Sequence, residues 1–277
     1  MVCTPALAAR IDRADGRLCA DASHRALTET TSLRLSVGGG LAVYGATDSP
    51  LNKLIGLGFD GPVSVDELGR AEAAFAARGA RLQAEVSTLA DPELHSLLYA
   101  RGYVPSGFEN VLGHPLAADT IASNASHEIS VAPIAHDEHG LFADLMVAAV
   151  ATPDVGGVGG DATPASDLVR HWVLAMLGLP GVYGYLARIG GVVAGAASMR
   201  LDDELAQFTG AGTLPKFRRR GVQSALLRAR LAAAADAECQ VAVVTTQPAS
   251  KSQHNVLREG FHLLYARQLL VKSPPEP

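Results

Sequence analysis

The chain has 277 residues, enough for one large or two ordinary domains, and 48% of them are hydrophobic while 18% are charged. Its net charge of −5 argues against general nucleic-acid binding, and Cys3, Cys19 and Cys239 fit neither a disulfide nor a zinc framework. No early apolar run is flanked by basic residues, and no apolar stretch approaches about 18 residues. We therefore expect a soluble, cytoplasmic protein without a membrane segment.

The first half alternates short strands and helices. Two weak helical patterns flank Asp15-Gly16, which is typical of a break between helices. The remaining predicted elements are strands Leu33–Val37 and Leu41–Tyr44 joined by a glycine hairpin, a strand at Leu51–Phe59, a helix at Val65–Arg78, a strand at Arg81–Ser87, a helix opened by Asp91-Pro92-Glu93, and a strand at Tyr103–Leu112.

The second half follows a small, polar linker at residues 118–127. Its predicted elements are a strand at Glu128–Pro133, helices His136–Val150 and Ser166–Leu177, strands Val182–Ile189, Val192–Leu201 and Glu204–Thr213, a helix from Val222, a strand at Gln240–Thr246, a helix at Ser250–Arg258 and a strand at Phe261–Val271. The glycine-rich segment 152–164 is interpreted as a flexible lid rather than a phosphate loop, because no Gly-Lys-Ser/Thr follows it.

The two halves repeat each other. A shift of 158 residues places Gly102-Tyr103 on Gly260-Phe261 without a gap, and aligns Leu68 with Leu226 and Ala84 with Ala242. Helix, strand, helix, Gly-aromatic and strand recur in order. We predict an α+β fold of two modules, each a mostly antiparallel twisted sheet flanked by helices, at residues 1–117 and 128–277.

The segment from Thr213 to Leu227 carries a basic loop between a strand and a helix. Arg218, Arg219 and Arg220 add positive charge to a helix amino end that already carries about half a positive charge. Free backbone N–H groups, the helix dipole and arginine side chains together favour a polyphosphate site, and Gly221 permits close approach of a phosphate. A solvated basic turn is the alternative.

This segment resembles the acetyl-CoA loop of the GNAT N-acetyltransferases, whose pattern is Arg/Gln-x-x-Gly-x-Gly/Ala. Arg218 and Gly221 match that pattern, whereas Gln223 replaces its last small residue. The resemblance implies that acetyl-CoA binds here. It assigns the pantetheine arm to Gly212, Thr213 and Leu214 with Asn255 beside it, and the pyrophosphate to the amides of Arg219, Arg220, Gly221, Val222, Gln223 and Ser224.

The catalytic groups implied by the resemblance are less well matched. The family often has a tyrosine four residues before the Gly-aromatic pair, where this chain has Val256. Tyr265 on the last strand is the substitute candidate for the general acid. Glu204 is the first candidate for the base, ahead of Asp202 and Asp203, and a solvated hairpin turn is the alternative for all three.

The corresponding loop of the first half, from Asp60 to Val65, carries an acid in place of the first arginine, and its Pro62 donates no amide. We therefore expect a degenerate first module and one acetyl-CoA site per chain.

Three functional hypotheses remain open at this point. The chain is an acetyl-CoA-dependent N-acetyltransferase acting on a primary amine of a small or amino-acid-like molecule, a non-catalytic acyl-CoA sensor, or an adaptor that binds RNA or acidic protein. No metal site is expected. For the transferase we expect a monomer with an internal pseudo-dimer, or a homodimer; the acceptor and the acyl-chain preference are not identified.

Overall fold

The computed structural model describes residues 2–27, 32–47, 49–116, 128–152 and 166–275. The predicted linker at 118–127 lies outside the described residues, as does most of the glycine-rich segment 152–164. The chain forms two compact units. The C-terminal unit comprises Leu112–Leu263, and the N-terminal unit comprises Val2–Val111 together with Leu264–Pro277.

The N-terminal unit contains three helices and six strands among its described residues, with β5 extending past its boundary. They are α1 (Pro5–Ala26), β1 (Leu33–Val37), β2 (Gly40–Tyr44), β3 (Lys53–Ile55), α2 (Val65–Ala76), β4 (Leu82–Ser87), α3 (Glu93–Ala100), β5 (Val104–Pro115) and β11 (His262–Lys272). The strand order is β1-β2-β3-β4-β11-β5, in which β3 and β4 run parallel and β11 is antiparallel to β4.

Two predictions for this unit were wrong in detail. Pro5–Ala26 is one helix, not two, and Gly16 lies inside it. The glycine serves close packing of α1 on β3, because a Cβ on Gly16 would lie 3.1 Å from a methyl group of Ile55. The strand predicted at Leu51–Phe59 is confined to Lys53–Ile55. It ends there because Gly56 and Gly58 both have φ of +78°, a conformation that does not continue a strand.

The C-terminal unit has one sheet with helices on both faces. Its further elements are β6 (Ile129–Pro133), α4 (His139–Ala151), α5 (Ser166–Leu177), β7 (Val182–Ile189), β8 (Val192–Asp202), β9 (Leu205–Thr213), α6 (Val222–Asp236), β10 (Val241–Thr246) and α7 (Lys251–Arg258). The strand order is β5-β10-β9-β8-β7-β6, and β9 and β10 form the parallel pair. Val222, Leu226 and Leu231 of α6 join the buried core of this sheet.

The repeat inferred from the sequence corresponds to matching elements. Leu68 on α2 and Leu226 on α6 are both fully buried, as are Ala84 on β4 and Ala242 on β10. Each unit thus contains a parallel strand pair connected by a helix that follows a loop. The predicted domain boundary at 128–277 stays a prediction, but in the structure residues 264–277 belong to the unit of the N-terminal residues.

Within the described ranges, each helix is too short or too polar to cross a membrane.

Candidate functional site

The loop before α6 ends in an uncapped helix amino terminus. β9 ends at Thr213, a 3-10 turn covers Pro215–Phe217, and α6 begins at Val222. The N-cap residue, Gly221, has φ of +83°, and no side chain in the described part of the chain caps the first turn. The first N–H groups of α6 are therefore available to an anion, which the helix dipole attracts.

The three arginines of the loop lie in different environments. Arg218 is half-buried; its Nη2 donates to the carbonyl oxygen of Thr152 at the end of α4, and its Nε lies 3.4 Å from the carbonyl oxygen of Thr213. Arg218 therefore braces the turn against α4. Arg219 and Arg220 are exposed, and Arg219 has φ of +62°, which turns the backbone immediately before the helix. These two arginines, and the exposed Lys216 earlier in the loop, offer positive charge to a ligand at the surface.

β9 and β10 separate next to this loop. Their parallel pairing ends at Phe208 and Val244. Immediately afterwards, Thr209 and Gly210 of β9 together face the single residue Ser198 of β8, which is a β-bulge. A bulge bends its strand, so we infer that β9 diverges from β10 beyond this point. We call the space between residues 209–213 and 245–246 the strand opening.

The edges of the strand opening combine small residues with hydroxyl groups. Gly212 is buried, and a Cβ on it would lie 2.4 Å from that of Ala149 on α4, so only glycine allows this approach. The Oγ of Ser198 lies 2.7 Å from Oγ1 of Thr209. Oγ1 of Thr246 is buried and has no hydrogen-bond partner among the described residues. The sequence analysis missed the contact between Ser198 and Thr209, because only the bulge brings these two hydroxyls together.

Glu204, the candidate base, lies at the other end of β9. It is an exposed residue of the β8–β9 turn, and its carbonyl oxygen accepts a hydrogen bond of 2.8 Å from the amide of Gln240 at the start of β10. Thr209 lies five positions further along the chain, about 17 Å along an extended strand. Glu204 therefore lies at the closed end of the β9–β10 pair, where the two strands are hydrogen-bonded, and not at the strand opening.

Tyr265, the candidate acid, lies in the N-terminal unit. Its hydroxyl is buried and donates to Oδ1 of Asp12 at 2.5 Å. Burial, reinforced by the Asp12 carboxylate, raises the pKa of Tyr265 well above its usual range. Arg267 also donates to Asp12, at 2.7 Å. The hydroxyl proton is thus engaged inside a buried ionic cluster.

The helix α7 carries the two other residues singled out by the sequence. Asn255 is half-buried, whereas Val256 is 1% exposed and belongs to the core of the C-terminal unit. An ion pair of 2.8 Å between Arg228 and Glu259 connects α6 to the residue that follows α7. Val256 therefore fills space in the core at the position where the family often carries a tyrosine.

The corresponding loop of the N-terminal unit differs physically from the α6 loop. Ser64 caps α2 by accepting a hydrogen bond of 3.4 Å from the amide of Glu67, and the first turn contains Asp66 and Glu67. Asp60 is paired with Arg13 at 2.7 Å. A capped helix start with two acids neither needs nor attracts an anion.

Comparison with known proteins finds a family likeness over part of the chain. Residues 156–261 match the model of the acetyltransferase (GNAT) family. No protein of curated function matches the sequence significantly.

Solved structures share the fold. A GCN5-related N-acetyltransferase from Kribbella flavida superposes with a TM-score of 0.69 at 19% identity, covering 98% of this chain and 96% of that one. A tandem GNAT protein from the clavulanic acid biosynthesis pathway has a TM-score of 0.56 at 14% identity, covering 76% and 70%. A GCN5-related N-acetyltransferase from Sphaerobacter thermophilus has a TM-score of 0.54 at 16% identity, covering 71% and 61%.

Proposed function

We propose that the chain, whose residues 156–261 match the GNAT acetyltransferase family model, transfers an acetyl group from acetyl-CoA to a primary amine of a small or amino-acid-like molecule. The observation that carries this proposal is the uncapped amino terminus of α6 beside the strand opening. In the N-terminal unit the equivalent helix is capped and acidic. We accordingly propose one acetyl-CoA site per chain, in the C-terminal unit.

The residues around α6 suit both polar parts of the donor. The amides from Arg219 to Ser224 would hold the pyrophosphate, with the Arg219 and Arg220 side chains adding charge. The backbone of Gly212 and Thr213 would hydrogen-bond the pantetheine arm, because β9 has left its pairing with β10 at this level. Leu214 would contribute only contact, since its amide already donates to the Ala194 carbonyl at 3.0 Å and its carbonyl accepts from the Phe217 amide at 2.9 Å. Arg218 would act indirectly, by fixing the turn against Thr152.

Direct attack by an amine on a thioester requires an unprotonated amine and a stabilised leaving thiolate. Acetyl-CoA supplies the activated acyl group when bound; the protein has to orient it, exclude water and move the amine proton. Glu204 and Tyr265 stay sequence predictions for the proton transfers, and the proposal depends on neither. The hydroxyls of Thr209 and Thr246 belong to the two strands that border the strand opening, and the Ser198 hydroxyl contacts that of Thr209.

A non-catalytic acyl-CoA sensor is the second candidate. It is favoured by Val256, which occupies the usual tyrosine position as a core residue, and by the engagement of the Tyr265 hydroxyl with Asp12. A sensor and an enzyme would bind acetyl-CoA alike but differ in turnover.

Two measurements test the proposal. Titration calorimetry with acetyl-CoA is expected to give one site per chain; no binding, or two equivalent sites, would contradict it. Thiol release in the presence of a panel of primary amines is expected to exceed release without an amine. Binding without amine-dependent release would support the sensor instead.

A further inference from the structure

Arg230 on α6 is a buried cation in the C-terminal unit. Its side chain is 1% exposed, and in the described part of the chain no carboxylate pairs with it. Its Nη1 donates to the carbonyl oxygen of Ser198 at 2.9 Å, its Nε donates to that of Leu226 at 3.2 Å, and its guanidinium carbon lies 4.3 Å from the ring centre of Phe208. Burial lowers the pKa of Arg230 to about 9.

Such a residue is costly for stability alone. A charge removed from water without an opposite charge loses several kcal/mol of solvation, in order-of-magnitude terms, and carbonyl or aromatic contacts restore only part of it. An apolar side chain of similar length would fill the same space at lower cost. The position of Arg230 is therefore better explained by its hydrogen bond to Ser198 than by a contribution to stability.

That group is the residue opposite the bulge of β9. Ser198 faces Thr209 and Gly210 together, its carbonyl accepts from Arg230, and its hydroxyl lies 2.7 Å from the Thr209 hydroxyl. The aromatic partner of Arg230, Phe208, is the last residue of β9 that pairs with β10. Arg230 thus contacts β8 through Ser198 and β9 through Phe208, at the level where β9 ceases to pair with β10.

The same helix also carries the loop at its amino end. Arg230 lies nine positions after Gly221, about 13.5 Å along an α-helix. α6 therefore connects the proposed pyrophosphate site to the bulge at a fixed distance, because a helix of this length is rigid.

We propose that Arg230 is a positioning residue that fixes the β9 bulge through Ser198 and so sets the width of the strand opening for the pantetheine arm of the acyl donor. This inference rests on the proposed function. The nucleotide end of the donor would bind at the loop before α6. The pantetheine end would bind at the strand opening, whose width Arg230 maintains. The two ends can be tested separately.

The experiment compares acetyl-CoA with 3′-phospho-ADP, the nucleotide end of CoA, by calorimetry on the full-length chain. Arg230→Met is expected to weaken acetyl-CoA binding about tenfold, as for loss of one charge-assisted hydrogen bond, and to leave 3′-phospho-ADP binding within about twofold. Arg230→Lys, which retains a donor for the Ser198 carbonyl, is expected to recover part of the loss. Arg228→Met, two positions away, is the control: the Arg228 side chain is 43% exposed and pairs with Glu259, and the variant should bind both ligands normally.

The remaining outcomes are decisive as well. Equal affinity of Arg230→Met and wild type for acetyl-CoA would overturn the inference, and so would a parallel loss for both ligands, which indicates a general structural role. If Arg230→Met does not fold, Thr209→Val replaces it: it retains Arg230 but breaks the hydroxyl contact with Ser198, and the same selective loss is expected. Normal acetyl-CoA binding by Thr209→Val would then overturn the inference. A wild-type chain that binds 3′-phospho-ADP but not acetyl-CoA would refute the proposed function and the inference with it.

Discussion

The hydroxyl of Tyr265 donates to the Asp12 carboxylate at 2.5 Å, and this bond joins the last strand to the first helix of the N-terminal unit across 253 positions of sequence. Arg267 completes the arrangement with bonds to Asp12 at 2.7 Å and to Asp15 at 2.9 Å. Residues from both ends of the chain therefore share one buried ionic cluster.

We predict that Arg267→Met destabilises the chain strongly. Arg267 is 1% exposed and pairs with Asp12, Asp15 and Glu85, so its loss would leave buried carboxylates without a cation. Breaking a buried pair costs about 3 to 5 kcal/mol, whereas an exposed pair is worth about 0 to 1 kcal/mol. Urea unfolding should show this difference between Arg267→Met and the control Arg34→Met, whose pair with Asp21 is exposed and 3.8 Å long. Equal midpoints would contradict the prediction.

Glu109 is expected to make stability depend on pH near neutrality. Burial and the neighbouring Glu85 raise the pKa of Glu109 to about 7, although Lys53 and Arg267 oppose the shift. Because the folded state holds this proton more tightly than the unfolded state, its contribution to stability is largest below about pH 4.3 and is lost as the pH rises to about 7. Glu109→Gln should therefore be more stable than wild type at pH 8, by on the order of 1 kcal/mol, and nearly equal to it at pH 4.5. Thermal unfolding at both pH values measures the stability difference between Glu109→Gln and wild type. A variant that is more stable than wild type only at the lower pH would contradict the prediction.

Gly221→Asp is expected to weaken acetyl-CoA binding about 100-fold or more, since a carboxylate at the start of α6 would repel the pyrophosphate. Gly221 has φ of +83°, so any side chain there also costs roughly 1 kcal/mol of backbone strain. Gly221→Asn carries the same strain and a similar volume without the charge. Calorimetry should find Asn much closer to wild type than Asp. Equal binding by Asp and wild type would show that the donor binds elsewhere.

Replacing Glu204 by Gln tests whether Glu204 is the catalytic base, as the sequence predicts, or a turn residue away from the strand opening, as its position indicates. Glu204 lies beside Gln240 at the closed end of the β9–β10 pair, so we expect kcat to remain within about threefold of wild type. A fall of kcat by about 100-fold with unchanged KM would instead establish Glu204 as the base. The measurement is thiol release with the best amine of the panel.

A fragment of residues 118–277 is expected to aggregate. It lacks β5, whose continuation donates from the Leu116 amide to the Gln240 carbonyl at 2.9 Å, so the β10 edge would be exposed. It also retains β11 without β4, its antiparallel partner in the N-terminal unit. A fragment of residues 102–277, which keeps β5, should scatter less light. A monomeric 118–277 fragment that binds acetyl-CoA would contradict this prediction.

The local pattern of the sequence was sufficient for most elements and for the loop. Ser166–Leu177 and Val182–Ile189 have the predicted bounds, because apolar periodicity reports which face of an element is buried. The sequence also predicted that the loop before α6 favours an anion and the loop before α2 does not. Caps and first-turn charges are set by neighbouring residues, so they can be recognised in the sequence.

Only the tertiary structure decided which residues meet over long distances in the chain. It placed Tyr265 beside Asp12 and residues 264–277 in the N-terminal unit, and it buried Arg230 against the carbonyl of Ser198. Strand pairing and burial are satisfied between residues far apart in sequence, and period-two alternation does not specify which strand becomes the neighbour. For that reason the sequence by itself determined the elements and the proposed anion-binding helix start, while the fold determined the strand opening and the groups around it.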